Sequence, residues 1–188
     1  MNRSLILAML VVACVVPGAG AQDHAPAPSP YAGFGQRSIK SLSVDQIADL
    51  RAGRGMGLAL AAELNGYPGP SHVLELARAL ELSDAQRAQV EVLFAAMKAE
   101  TIPIGERLIA EEAALDRQFV TRTITPATLA AAVAAIGTTQ ASLRAAHLKY
   151  HLSMLDVLTP TQVRRYGELR GYAGNDAASP SHGGHRHN

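Results

Sequence analysis

From Leu129 onward, apolar or packing-competent residues recur at alternating intervals of four and three: Val133, Ile136, Gln140, Leu143, His147, Tyr150, Met154 and Val157. That spacing is the a/d seam of a helix that packs against another helix, and it predicts a helix over about 126–157. Val90, Leu93, Met97, Ile104, Leu108 and Leu115 mark a second seam, on a helix that begins at Ser83 and ends near Phe119. Pro103 and Gly105 fall inside it and are expected to kink or interrupt it. The turn at 120–125 is short, so the two long helices should form an antiparallel hairpin. Three shorter helices are expected around it: about 43–64, 71–80 and 159–169. The first ends before the turn Asn65-Gly66-Tyr67-Pro68-Gly69-Pro70.

The helix starts are marked by a repeated string. Leu42-Ser43-Val44-Asp45-Gln46, Leu82-Ser83-Asp84-Ala85-Gln86 and Leu158-Thr159-Pro160-Thr161-Gln162 all read Leu-Ser/Thr-x-x-Gln. This is a capping box. The hydroxyl of Ser43, Ser83 or Thr159 accepts from the N3 backbone N–H, and Gln46, Gln86 or Gln162 reaches back to the cap's own N–H. The preceding Leu can supply half of a hydrophobic staple. Pro160 at the first helical position loses no hydrogen bond.

Composition agrees with an all-α chain. It is 48% hydrophobic but only 4% aromatic, with no Trp. Close-packed helices suit that better than a β-sandwich. Residues 1–21 read as a signal peptide: Arg3 supplies the charge, Ser4 to Val16 is apolar, and Ala19-Gly20-Ala21 is a cleavage site. The alternative is a lipoprotein box at Val11-Val12-Ala13-Cys14, with Cys14 lipidated. Cleavage after Ala21 leaves no cysteine, so the expected periplasmic protein is held together by helix packing alone. Residues 22–40 read as a flexible linker, 41–172 as the helical domain, and 173–188 as a disordered His-rich tail.

Without Arg3 the basic residues number 16, matching the 16 acidic ones. No basic stripe is present, which argues against nucleic acid as a partner. Catalysis is not expected either. No nucleophile elbow, HExxH string or mature cysteine nucleophile occurs. The alternating Gly53, Gly55 and Gly57 lack the GK[ST] ending of a phosphate loop, so close helix packing or local bending is their expected use.

Two groups of residues carry metal-ligand chemistry. His147 and His151 are four apart on the predicted helix, and Met154 is three further on. Two imidazoles and a thioether on one helical face suit zinc, copper, nickel or cobalt. Glu63, His72 and Glu111 are the candidates to complete such a shell. The competing reading packs His147 in the seam and leaves His151 at its solvated edge. The second group is His182, His185 and His187 in the tail, where flexible imidazoles bind such ions weakly. No cofactor is required by either. Glu111, Glu112 and Asp116 form an acidic cluster that reads as a solvated face paired with Arg107 and Arg117.

The boxes at Leu82–Gln86 and Leu158–Gln162, flanking a long predicted hairpin in an exported chain, resemble the LTxxQ signature of the periplasmic Spy/CpxP family. Its relatives include ZraP-like proteins and CnrX-type heavy-metal sensors. Gly55-Met56-Gly57-Leu58 and the turn Gly66–Pro70 are similar to members described as refolding chaperones. The resemblance implies a curved hairpin that dimerises into a cradle. It implies an ATP-independent chaperone for unfolded or stressed envelope proteins, possible metal tuning, and no enzymatic activity. The alternative it implies is a heavy-metal sensor or resistance protein that signals to a membrane sensor protein. The tail is similar to the His/Gly-rich tails of ZraP-like proteins. The sequence departs from the CnrX type in one respect: the paired His-x3-His near the mature N-terminus is replaced by the isolated His24.

Overall fold

A computed structural model describes residues 29–172. The signal-peptide reading, its Cys14 alternative and the tail histidines His182, His185 and His187 lie outside the described residues. The chain divides into two units, Met1–Ala32 and Gly33–Asn188. Of the first, only residues 29–32 are described, and they form a turn closed by Ala32 N–H on the Ser29 carbonyl. All that follows concerns the second unit.

The fold is all-α. After a short 3-10 turn at Phe34–Gln36 come six helices: α1 Val44–Ala52, α2 Leu60–Glu63, α3 Pro70–Glu75, α4 Asp84–Val120, α5 Pro126–Met154 and α6 Pro160–Leu169. Among the described residues there is no strand, only an isolated bridge between Ile39 and Leu42. The long pair α4 and α5 runs antiparallel, as its cross-links show. Glu111 meets Thr139, Glu100 meets Tyr150, and Gln86 meets Val157, so one number falls as the other rises.

The capping boxes form as the spacing predicts. Ser43 with Gln46, Ser83 with Gln86, and Thr159 with Gln162 each make both halves of the exchange. Thr125 and Thr128 add a fourth box at the start of α5.

Two sequence expectations are corrected. The helix expected over 43–64 is two helices. α1 stops at Ala52 because Gly53 takes a left-handed φ of +66°, and its N–H closes the helix end on Asp49 and Leu50. A Cβ at Gly53 would also lie 2.8 Å from the Thr101 hydroxyl oxygen, so glycine is needed for the approach to α4. The second concerns the kink or interruption expected at Pro103: the interruption is ruled out, because α4 runs through Pro103 as one helix. Pro103 is exposed, as is Ala99, the residue whose carbonyl loses its N–H partner to the proline. Gly105 is a packing device instead. A Cβ there would sit 2.6 Å from the backbone oxygen of Leu50, so its absence lets α1 rest directly on α4.

The interior has two apolar clusters. One joins Ile39, Leu50, Leu108, Ile109, Ile136 and Leu143. Ile39 is thus packed, although it precedes the expected domain start at 41. The other joins Val73, Leu80, Val90, Met154, Leu158 and Tyr166. On α5, His147 and His151 occupy the interval between Leu143 of the first cluster and Met154 of the second. On α4, Met97 and Thr101 occupy the matching interval between Val90 and Leu108. A polar gap between two cores is therefore written into both helices.

Candidate metal centre

A cleft of about 430 Å³ opens at this gap. The end of α1, the 54–59 loop, α2, the start of α3, α4 and α5 all contribute walls, and Arg170 and Tyr172 reach it from beyond α6. His147 and His151 line it from successive turns of α5, and both are buried. The packed-seam reading therefore describes His147, but His151 is buried as well rather than at a solvated edge.

Each ring is tied to the backbone through the same nitrogen. His147 Nδ1 lies 2.9 Å from the Leu143 carbonyl, and His151 Nδ1 lies 2.8 Å from the Tyr67 carbonyl. A carbonyl only accepts, so Nδ1 carries the hydrogen in His151, and in His147, where both ring nitrogens face carbonyls, the shorter contact assigns it to Nδ1 as well, leaving the lone pair of the neutral ring on Nε2. His147 Nε2 is 3.4 Å from the Gly53 carbonyl, an acceptor it cannot donate to in that tautomer. Tying one ring nitrogen to a backbone carbonyl is how proteins fix the tautomer and orientation of a metal-ligating histidine. Glycines keep the space beside both rings clear. A Cβ at Gly55 would lie 3.4 Å from His147 Cδ2. One at Gly69 would lie 3.1 Å from His151 Nε2 and 2.9 Å from Glu63 Oε1.

Glu63, at the end of α2, is a buried carboxylate in the same cleft. Its Oε1 is 2.9 Å from His72 Nδ1, and its Oε2 accepts from the Tyr166 hydroxyl at 2.7 Å. Burial, then the bond to Glu63, pushes the Tyr166 hydroxyl's pKa far above its ordinary value, so Tyr166 remains a donor. Met97 adds a thioether to the α4 wall.

Of the residues singled out in sequence, the cleft brings together His147, His151, Glu63 and His72. It does not include Met154, which is fully buried in the second apolar cluster. Helical spacing aligns Met154 with His147, but the α3–α6 side of the fold encloses it. Glu111 is also elsewhere, accepting from Thr139 at 3.0 Å. Its acidic neighbours pair across to the N-terminal stretch, Asp116 with Lys40 and Glu112 with Ser41, rather than with Arg107 and Arg117. Met97, Tyr166 and Gly69 were not legible as site residues, because their roles depend on which helices meet.

Two imidazoles, a carboxylate and a thioether are the donor types a borderline transition-metal ion takes. Among the described residues, however, no group of three or more His, Cys, Asp or Glu side chains is placed so that it could hold a metal ion. Glu63 is engaged with its two hydrogen-bond partners instead.

The fold and cleft define an all-helical, hairpin-based protein with a histidine-lined gap. A family model described as heavy-metal resistance matches residues 55–165, a span that contains Glu63, His72, Met97, His147 and His151. The chain belongs to this heavy-metal resistance family, which is Spy/CpxP-like. No curated protein and no solved structure matched the chain significantly.

Proposed function

We propose that this chain is a periplasmic heavy-metal resistance protein that binds a zinc, copper, nickel or cobalt ion in the cleft and acts without catalysis. The observation that carries the reading is the matched tethering of His147 and His151. Both Nδ1 atoms are spent on backbone carbonyls, and both rings line one cleft. His147 and His151 would hold the ion through Nε2, and Glu63 would supply a compensating negative charge. The family match supports the same reading. Calorimetric titration of the full chain with zinc tests it, with His182, His185 and His187 changed to Ala to silence the tail. Stoichiometric binding is expected, and His147→Ala plus His151→Ala should abolish it. Affinity should also fall on acidification, because an imidazole must be neutral to ligate. Unchanged binding in the double variant would assign the affinity elsewhere.

A second observation supports a role in assembly and client holding. Phe119, Val120, Leu129 and Val133, at the joined ends of α4 and α5, are exposed large apolar side chains. We propose that this surface joins two copies into a homodimer, whose concave side shields unfolded envelope proteins without ATP. Slower aggregation of an unfolded client at near-stoichiometric ratios is the expected result. No effect on several clients would remove the chaperone role and leave the metal reading standing.

A further inference from the structure

We propose that the cleft takes a small organic amine, a protonated amino group carried on an apolar body. The inference goes beyond the metal reading and stands without it. It is carried by the kind of polar atom that the cleft leaves over.

His147 and His151 are only 2% and 5% exposed, and each spends Nδ1 on a backbone carbonyl. The nitrogen left over on each ring, Nε2, is an acceptor. His147 Nε2 lies 3.4 Å from the Gly53 carbonyl, so two acceptors stand side by side. Among the described residues, no donor bonds His151 Nε2. Buried acceptors without a donor are costly. A ligand that donates hydrogen bonds removes that cost, and one that only accepts adds to it.

Charge selects among donors. In the walls, the acids Asp49, Glu63 and Glu75 outnumber the bases Arg54 and Arg170. Arg54 is paired with Asp49, and Arg170 donates to the Tyr172 hydroxyl. The buried Glu63 is bonded by the Tyr166 hydroxyl and by His72, and neither arginine pairs with it. A cationic donor is therefore favoured over a neutral one, and an anion is disfavoured. The rest of the cleft suits an apolar body. Its volume of about 430 Å³ is far more than an ion needs and falls within the range of small-molecule sites, about 300–1,000 Å³. Met56 and Leu60 line it while 40% and 55% exposed, and Phe94 and Met97 line it from α4. Methionine side chains adapt their shape to what they cover.

The test titrates the full chain, with a metal chelator present, against benzylamine, benzyl alcohol and benzoate. The three probes share one apolar ring and differ in the group it carries. Benzylamine should bind saturably, about 10- to 100-fold more tightly than benzyl alcohol, as expected when a hydrogen-bonding group is charged. Benzoate should bind most weakly. The imidazole nitrogen resonance of His151 Nε2 should move as benzylamine is added, a readout that needs no variant. Glu63→Gln should remove the preference for the amine over the alcohol. Leu60→Lys, at an exposed position, brings its own ammonium group to the cleft and should suppress benzylamine binding without unfolding the chain. Benzylamine that does not saturate, benzoate that binds as tightly, or binding with no change at His151 Nε2 overturns the proposal. Because the chelator removes metal, a chain that takes benzylamine but not zinc loses only the metal reading. One that takes zinc but not benzylamine loses only this inference.

Discussion

The side-chain amides of Gln86 and Gln162 bond each other in both directions. Gln86 Nε2 donates to Gln162 Oε1 at 2.8 Å, and Gln162 Nε2 donates to Gln86 Oε1 at 3.1 Å. Each oxygen also accepts the N–H of its own cap residue, Ser83 or Thr159. Each nitrogen spends its second hydrogen on a backbone carbonyl, of Val157 for Gln86 and of Leu80 for Gln162. The repeated motif is thus more than two independent helix caps. It clamps the start of α4 to the start of α6.

That arrangement explains why both boxes carry Gln where a generic capping box also accepts Glu. A carboxylate can cap but cannot donate. Gln86→Glu keeps the local box and removes two donated bonds, so it should destabilise the fold by about 1–3 kcal/mol, the cost of leaving partly buried acceptors unpaired. Gln86→Glu with Gln162→Glu should cost more than the two singles combined, because two carboxylates then face each other. Chemical denaturation at constant m-value measures this. Single variants as stable as the parent would show that the clamp contributes nothing beyond capping.

A pair of glycines separates packing from propensity. Gly105→Ala would put a methyl group 2.6 Å from the Leu50 carbonyl, with α1 unable to yield by a side-chain rotation. A loss of about 1–3 kcal/mol is expected from such overpacking. Gly137 lies on the exposed face of α5, and a Cβ there meets nothing within 4 Å. Gly137→Ala should therefore gain about 0.5–1 kcal/mol from helix propensity. Thermal or denaturant melting of the two variants should move in opposite directions.

The long hairpin and its caps were legible because period and capping chemistry are local signals. The site was legible only in part. Two histidines four apart announce themselves, but Met154 at the next seam position looks equally suitable, and only its enclosure by Val73, Val90 and Leu158 removes it from the cleft. Glu63 was one of three candidate carboxylate or imidazole partners, and the choice depends on where α2 is placed. The break at Gly53 was hidden for a similar reason. A glycine within a helical pattern is read as a weak helix position until its left-handed φ and its contact with Thr101 are known.

Glu100 links α4 to α5 by an ion pair with Lys149 and a 2.9 Å bond from the Tyr150 hydroxyl. The hydrogen bond from Lys149 holds its pKa below the ordinary carboxylate value of 4.5. A carboxyl group with a lowered folded-state pKa stabilises the fold fully above its unfolded value, and that contribution disappears as pH falls through the folded value. Glu100→Gln should therefore be less stable than the parent near neutrality, with the gap closing below pH 4.5. The gap is expected to be small, since both side chains are partly solvated. Melting curves across that range check the sign, and a gap that widens on acidification would contradict it.

The homodimer prediction rests on the far end of the hairpin. Between Arg122 and Arg144 the chain carries no charged residue, yet most of this part of α5 is exposed in a single copy. The first half of the a/d seam, Leu129 and Val133, is open, while the second half, Leu143 to Met154, is buried. α1 covers α4 at Gly105, and the N-terminal elements leave Leu129, Val133, Phe119 and Val120 exposed. Large apolar side chains left exposed near one end of a hairpin favour an interface, and a two-fold partner would cover them with the same residues from both chains. Sedimentation of the protein at micromolar concentration should give a dimer mass. Leu129→Glu with Val133→Glu should return it to a monomer while leaving the helical circular dichroism intact, because neither side chain is enclosed by its own chain. A monomer mass that persists over a hundredfold rise in concentration would overturn the dimer.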